Sequence, residues 1–290
     1  MSKNPLVTIG MPMYNSEKFI TQAIISTLQQ TFTDFELIIT DDGSTDRSIK
    51  LVKSFDDPRI KLLSDGMNKG ISYRLNQQVE LATGKYYLRM DSDDIMFPNR
   101  IEEQVKYLEA HPEVDVVGTT AVIIDNDDKI IGYRETSVPL DENEAVKVNV
   151  FIHPTVCGKL SWFKNLPYNG MFNGCEDFDV WLRGYPYSKY FVSKEPLLFY
   201  RDPLEFKIKT YVNRLKNQRL MLSHADYLKE RFLLKNKMLI SLFLKGFIAQ
   251  FLHKLGKDQI LIARRNNELN NFSHYENVLN KILVNHDKDI

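Results

Sequence analysis

The sequence predicts an α/β fold, a mostly parallel sheet flanked by helices and followed by a helical C-terminal extension. Three observations predict it. Short apolar runs alternate with stretches of helical period through the first third of the chain. Three of those runs break directly into polar, acidic sequence. From about Lys207 onward the pattern turns continuously helical, Leu and Phe mixed with Lys and Arg.

The elements follow in order. Leu6 to Met11 reads as a strand, and Met13-Tyr14-Asn15-Ser16 as the turn after it, with residues suited to cap a helix. Phe19, Ile20, Ala23, Ile24, Thr27 and Leu28 recur at three and four residues, one helical face. Phe35 to Thr40 is a second strand that runs into Asp41-Asp42-Gly43-Ser44-Thr45-Asp46, and Ile49, Leu51, Val52 and Phe55 follow as a helix. Ile60 to Leu63 is a short strand, Ile71 to Leu81 a helix, and Tyr86 to Met90 a fourth strand that stops at Asp91-Ser92-Asp93-Asp94. Arg100 to Ala110 is a helix closed by His111-Pro112, and Val114 to Ile124 a strand. Asp125 to Asp128 reads as a turn into the apolar run beginning at Lys129. A soft boundary near Pro203 divides the chain into 1–206 and a basic helical extension, 207–290.

Strand, helix and strand repeated in this way imply right-handed crossovers and a parallel sheet. Ligands of such sheets bind beyond the carboxyl ends of the strands. The loops after Met11, Thr40 and Met90 therefore belong to one edge and one site. Their convergence carries more weight than any one of them.

Composition narrows the chemistry. The chain has 290 residues, 43 % apolar and 26 % charged, as expected of a globular protein with a core and not of a disordered or fibrous chain. With 38 basic and 38 acidic residues it has no polyelectrolyte character, so nucleic acid is not an expected partner. The balance is uneven along the chain: residues 207–290 hold 16 Lys and Arg against 7 Asp and Glu, a net of +9, which leaves −9 on the first 206. Two cysteines, Cys157 and Cys175, lack metal-ligand spacing and fit a reducing compartment. The N-terminus shows no charged flank and apolar run of a signal peptide, so a cytoplasmic enzyme is expected.

Four Asp-x-Asp patterns occur, Asp91/Asp93, Asp125/Asp127, Asp177/Asp179 and Asp287/Asp289, and position separates them. Asp287/Asp289 reads as solvated tail, and Asp125/Asp127 as turn chemistry. Asp91/Asp93 closes a strand, where two carboxylates can hold a hard cation that keeps sites open for phosphate oxygens; an acidic turn is the plainer reading. In Asp41-Asp42-Gly43 a strand-end carboxylate can accept from a base N–H or a ribose hydroxyl, and Gly43 allows a tight turn.

At this point the motifs resemble glycosyltransferase family 2. The resemblance rests on Val7-Thr8-Ile9 through Asn15, Asp41 to Asp46, Asn68-Lys69-Gly70, Ala82 to Tyr86, Asp91 to Asp94 and Glu176 to Arg183, in that order and spacing. It covers about residues 5 to 200. It implies a GT-A, Rossmann-like fold, a nucleotide-sugar donor, a divalent metal (Mn2+ or Mg2+) and an inverting transfer. Carried over by position, Pro12, Tyr14 and Glu17 resemble the nucleotide wall, with Tyr14 beside the base, and Asp41 the base-contacting acid. Asp91 and Asp93 resemble the pair at ribose and metal, Asp93 the direct ligand. Asp177 is similar to the catalytic base, with its neighbour Glu176 as rival, and His153 stands where the family often carries a phosphate- or metal-contacting His. An inverting transfer needs a carboxylate base and a clamp on the leaving diphosphate, and no covalent nucleophile. Accordingly the sequence has no Gly-x-Ser-x-Gly elbow, His-Glu-x-x-His or Walker loop.

The remaining expectations are more local. Trp181 reads as core packing, Trp162 and Tyr168 as loop residues for which stacking on an acceptor sugar is the less favoured role, and Arg74 as either a phosphate contact or a surface residue. In the tail, Met238 to Leu252 is 15 residues with Lys245 inside, too short to span a bilayer. It reads either as a helix packed on the catalytic part or on a second subunit of a homodimer, or as a basic amphipathic surface on the anionic inner face of the cell membrane.

The sequence thus predicts transfer of a sugar, most simply from a UDP-sugar, to a glycan or lipid-linked acceptor in surface polysaccharide assembly. A polyprenyl-phosphate glycosyltransferase is the alternative of the same fold. A sugar-nucleotide nucleotidyltransferase would open with a glycine-rich loop that Met11 to Asn15 lacks. A non-catalytic nucleotide-binding module would have no need of both Asp93 and Asp177.

Overall fold

The computed structural model describes residues 4–202, 206–225, 228, 231–262, 267 and 272–286. β1 (Val7–Met13) is buried along its whole length, which explains why it reads as an unbroken apolar run. Parallel to it on one side lie β2 (Phe35–Asp41) and then β3 (Ile60–Ser64), and on the other β4 (Tyr86–Arg89). The crossovers are α1 (Ile20–Leu28), the five-residue α2 (Ser48–Val52) and α3 (Ile71–Leu81). These seven elements stand where the sequence places them, α2 ending three residues short of Phe55.

The second half of the sheet is mixed. β5 (Ile95–Met96), α4 (Arg100–Ala110), β6 (Val116–Ile124), β7 (Ile130–Arg134) and α5 (Glu142–Ala145) precede β8 (Cys157–Lys159) and α6 (Leu160–Asn165). α7 (Glu176–Gly184), β9 (Tyr190–Arg201), α8 (Ile208–His224), α9 (Phe232–Lys254), α10 (Gln259–Ile262) and α11 (Phe272–His286) complete the chain. The order is β3-β2-β1-β4-β8-β6-β9-β5, with β7 on β6. β8 is antiparallel to both β4 and β6, whereas β6 and β9 are parallel.

One core holds Ile9 and Leu88 of the sheet with Ile24 of α1 and Ile101 of α4. The other holds Tyr87 with Leu75 of α3, Phe163 of α6 and Trp181 of α7. Successive residues of β4 feed opposite cores, as strand geometry requires. Gly10 is demanded by this arrangement: a Cβ there would lie 2.2 Å from the Tyr87 hydroxyl. That hydroxyl donates to Gln78 Oε1 across the strand, and Gln78 Nε2 donates to Thr40 Oγ1.

Two expectations are corrected here. Trp162 lies in α6, buried and stacked on Trp181 at 5.6 Å, and Tyr168 is 4 % exposed, so neither ring is open to an acceptor. Trp181 is core, as its spacing predicts. Cys157 and Cys175 are both free and buried.

α8 and α9 pack together, and Leu215, Met238 and Leu242 share an apolar cluster with Phe172, Phe178 and Leu182 around α7. α11 covers β5 and β9 through Leu279 and Ile282. Among the described residues no helix is long and apolar enough to cross a membrane. Asp287/Asp289 and the boundary near Pro203 lie outside the described residues.

Candidate active site

β1 stays paired with β2 as far as Met13 and Asp41, but with β4 only as far as Gly10 and Arg89. The strands part at the point where the chain order reverses, which opens a crevice above β1 and β4. Gly10 accepts from Met90 N–H, so Pro12, two residues on, faces the side from which β4 has already diverged. Its missing N–H therefore breaks no ladder bond.

The three polar loops meet here, as their strand positions predict. Asn15, in the left-handed region at φ +49°, accepts from Thr45 N–H through Oδ1 and donates its own N–H to Ser44 Oγ. Ser16 Oγ lies 2.7 Å from Ser92 Oγ, which joins the first loop to the third. Glu17 accepts from the N–H and Nε of Arg47. Tyr14 is 53 % exposed beside this knot, its ring open. Asp41 is fully buried and its carboxylate is filled, accepting from the N–H groups of Gly43 and Ser44 and from Ser64 Oγ. Pro12 is buried within β1.

Asp42 and Arg74 form the floor of the second loop. Asp42 accepts from the N–H groups of Lys69 and Gly70 and from Arg74 Nε at 3.0 Å. Arg74 is 1 % exposed and also donates to Asp65 and Met67 O, so it is neither a surface residue nor a free phosphate ligand.

The third loop concentrates negative charge. Asp91, Asp93 and Asp94 each offer an oxygen within 4.8 Å of the others. Burial, and then the charge of Asp91, pushes the Asp93 carboxyl up to about 6. Asp94 is fully buried, and burial and then the charge of Asp93 push its carboxyl well above the usual carboxylate range; its Oδ2 has no partner among the described residues. Beneath them sits Arg89, 5 % exposed, with Nη2 on Asp91 Oδ1 and with Nε and Nη1 unpartnered among the described residues. Burial opposes its charge, but Asp91 and Asp94 together keep it firmly cationic. Arg201 fixes the loop from outside: its N–H donates to Asp94 Oδ1 and its Nε to Asp93 O, both at 2.8 Å. Arg89, Asp94 and Arg201 escaped the sequence reading. Asp94, adjacent to the motif, and Arg89, two residues before Asp91 on the same run, lay within reach of the sequence; Arg201 meets the acids only because β9 pairs with β5.

His153 stands apart from the acid cluster, its Nε2 2.9 Å from the Tyr168 hydroxyl. Burial, and secondly the charge of Arg89, holds its pKa well below the ordinary 6.5. A histidine kept neutral in the fold contributes stability that is complete above pH 6.5 and lost as the pH falls below it, because the unfolded chain then binds a proton that the native one does not. The urea midpoint should accordingly fall between pH 7.5 and 5.5 more steeply in the wild type than in His153→Gln (about two pH units around the ordinary value). Equal slopes would show that His153 does not govern this range.

Glu176 and Asp177 open α7, where the helix dipole favours negative charge. Glu176 is buried and bonded to Gly174 N–H at 2.6 Å, its pKa raised by burial and then by Asp177. Asp177 is half-buried and takes Asn149 Nδ2 at 2.7 Å. Asp179 faces away to Arg183. Asp125 bonds the N–H groups of Asp127 and Lys129, the turn role the sequence predicts.

The family model described as "Glycosyl transferase family 2" matches residues 8–166, more than half of the chain. The chain belongs to glycosyl transferase family 2. The Bacillus subtilis (strain 168) protein named "Putative glycosyltransferase EpsE" is 32 % identical over 79 % of this chain and 87 % of its own. The Escherichia coli UDP-Glc:alpha-D-GlcNAc-diphosphoundecaprenol beta-1,3-glucosyltransferase WfgD is 31 % identical over 61 % of this chain and 68 % of its own. Among solved structures, S. aureus TarS 1-349 in complex with UDP superposes with a TM-score of 0.61 over 83 % of this chain and 71 % of that one, at 20 % identity. The mannosyltransferase PcManGT of Pyrobaculum calidifontis, in complex with GDP-Man and Mn2+, gives a TM-score of 0.58 over 99 % and 88 %, at 16 % identity. The fold they share with this family 2 enzyme is GT-A, and a helical C-terminal region follows it in this chain.

Proposed function

We propose that this glycosyltransferase is a metal-dependent, inverting enzyme that moves a sugar from a nucleotide donor, a UDP-sugar, to a glycan or lipid-linked acceptor at the cytoplasmic face of the cell membrane, in assembly of a surface polysaccharide. The observation that carries this reading is the acid cluster at the parting of β1 and β4, with a buried arginine on Asp91 and with Tyr14 exposed on the neighbouring loop. Three carboxylates with an orphaned buried oxygen suit a hard, oxygen-seeking cation such as Mn2+ or Mg2+. Asp93 is the direct ligand in this reading, Asp91 reaches the ribose from its pairing with Arg89, and His153 is the phosphate- or metal-contacting histidine. A divalent cation held there supplies charge neutralisation to the departing diphosphate.

The chain's own residues do the rest. Tyr14 stacks on the base, and Pro12, Glu17 and Asp41 hold the wall around it. Asp177, the more open of the two adjacent acids, takes the proton of the acceptor hydroxyl as its oxygen bonds to the anomeric carbon. The bond from that carbon to the diphosphate breaks on the opposite side, with inversion. The relatives' names support the donor class: WfgD names UDP-Glc and TarS was solved with UDP, whereas PcManGT carries GDP-Man. Calorimetric titration with UDP, GDP and CMP, each with and without Mn2+, tests the reading. Metal-dependent binding of UDP alone supports it, selective GDP or CMP binding overturns the donor, and no binding to folded protein overturns the site. The division into a catalytic 1–206 and an extension 207–290 belongs to the same reading.

A further inference from the structure

α9 has two apolar faces. Met238, Leu242 and Ala249 are buried against the rest of the protein. On the opposite side Ile240, Phe243, Leu244, Phe247, Phe251 and Leu255 recur at steps of three and four residues, a single stripe along the helix. Each is exposed, from 50 % at Leu244 to 65 % at Phe247. An unbroken apolar stripe of this length in water marks an interaction surface.

Its electrostatics select the occupant. α9 carries Lys235, Lys237, Lys245 and Lys254 and no acidic residue. Lys209 of α8 and Lys254 line one groove between the two helices, and the Arg219 guanidinium lies 5.3 Å from the Phe243 ring. Cations thus border the stripe from both helices, within a segment of net charge +9. A second copy would bring like charge against like, whereas an anionic bilayer accepts Phe and Leu at the acyl boundary and Lys and Arg at the headgroups. The helix itself is coupled to the site through its buried side: Met238 and Leu242 share their cluster with Phe178 of α7, and Asn217 of α8 donates to Asn173 O just before Glu176 and Asp177.

We propose that the exposed face of α9 seats this enzyme on an anionic lipid surface, and that the acceptor is the lipid-linked one of the two classes above, presented from that surface. The second clause rests on the transferase reading; the first does not. The full chain is sedimented with phosphatidylcholine vesicles, alone or with about 30 % phosphatidylglycerol, at low and at high salt. Binding is expected to be at least about tenfold stronger on the anionic vesicles and to weaken with salt. The triple variant Phe243→Ser, Phe247→Ser, Phe251→Ser is expected to lose at least about tenfold in partition, and Lys237→Glu with Lys254→Glu about fivefold per lysine. Both should keep the wild-type helical circular dichroism; if the triple variant does not, the lysine pair decides. Undiminished binding by the variants sinks the proposal, as does wild-type protein that ignores vesicles and sediments as a dimer which the triple variant makes monomeric. Vesicle binding by a protein that binds no nucleotide would leave the docking intact and remove the transferase reading.

Discussion

Asp93→Ala is expected to abolish metal-dependent nucleotide binding, and Asp177→Asn to leave that binding intact while transfer falls about a thousandfold. The two acids serve different halves of the reaction in our reading. Asp93 sits in the carboxylate cluster above β4, where its loss leaves two acids to hold a cation. Asp177 opens α7 with a single side-chain donor, Asn149, and belongs to the acceptor's proton. Titration with UDP and Mn2+ alongside a transfer assay reads both. Equal loss of nucleotide binding in the two variants would show the roles wrongly assigned, and full transfer by Asp177→Asn would pass the base to Glu176.

Arg89→Met should be the most damaging substitution for stability at the site, costing about 3–5 kcal/mol in chemical denaturation. Arg89 is the cation buried directly beneath Asp91, and its charge also bears on Asp94. Removing it leaves the acids facing one another across a low-dielectric interior, whereas its removal from a solvent-exposed pair would cost little. Because the excess negative charge is what destabilises the variant, millimolar Mn2+ should restore more stability to Arg89→Met than to the wild type (a concentration of about that order saturates a weak carboxylate site). A denaturation midpoint within experimental error of the wild type would show that the cluster does not depend on the arginine.

How far the sequence reached follows burial and local order. β1, β2 and β4 are covered on both faces, so each is an apolar run that one window of sequence reveals. β8 is three residues, Cys-Gly-Lys, and β9 runs through exposed Lys194 and Glu195 into Pro196, so neither has a period to read. They exist because β4 and β6 offer them edges. Trp162 and Tyr168 mislead for the same reason. Their local sequence, mixed polar and apolar with Pro167 and Gly170 in it, shows no helical or strand period, but Trp181, His153 and Asn76 bury them from elsewhere in the chain.

By itself the sequence determined the α/β class, the parallel half of the sheet, the meeting of three polar loops at one edge and the family, because each is written in contiguous residues. Tertiary structure decided what those residues face. Asp41 turns inward to brace its own loop while Tyr14 stands open, Arg74 is consumed by Asp42 and Asp65, and Arg89 and Arg201 supply the charge and the hold that keep three acids together. The physical reason is that burial and Coulombic pairing depend on distance in space. Arg74 meets Asp42 from 32 positions away and Arg201 meets the backbone of Asp93 from 108, which leaves no common pattern in the chain. Even Arg89, two residues before Asp91, counts as its partner only because the fold buries it.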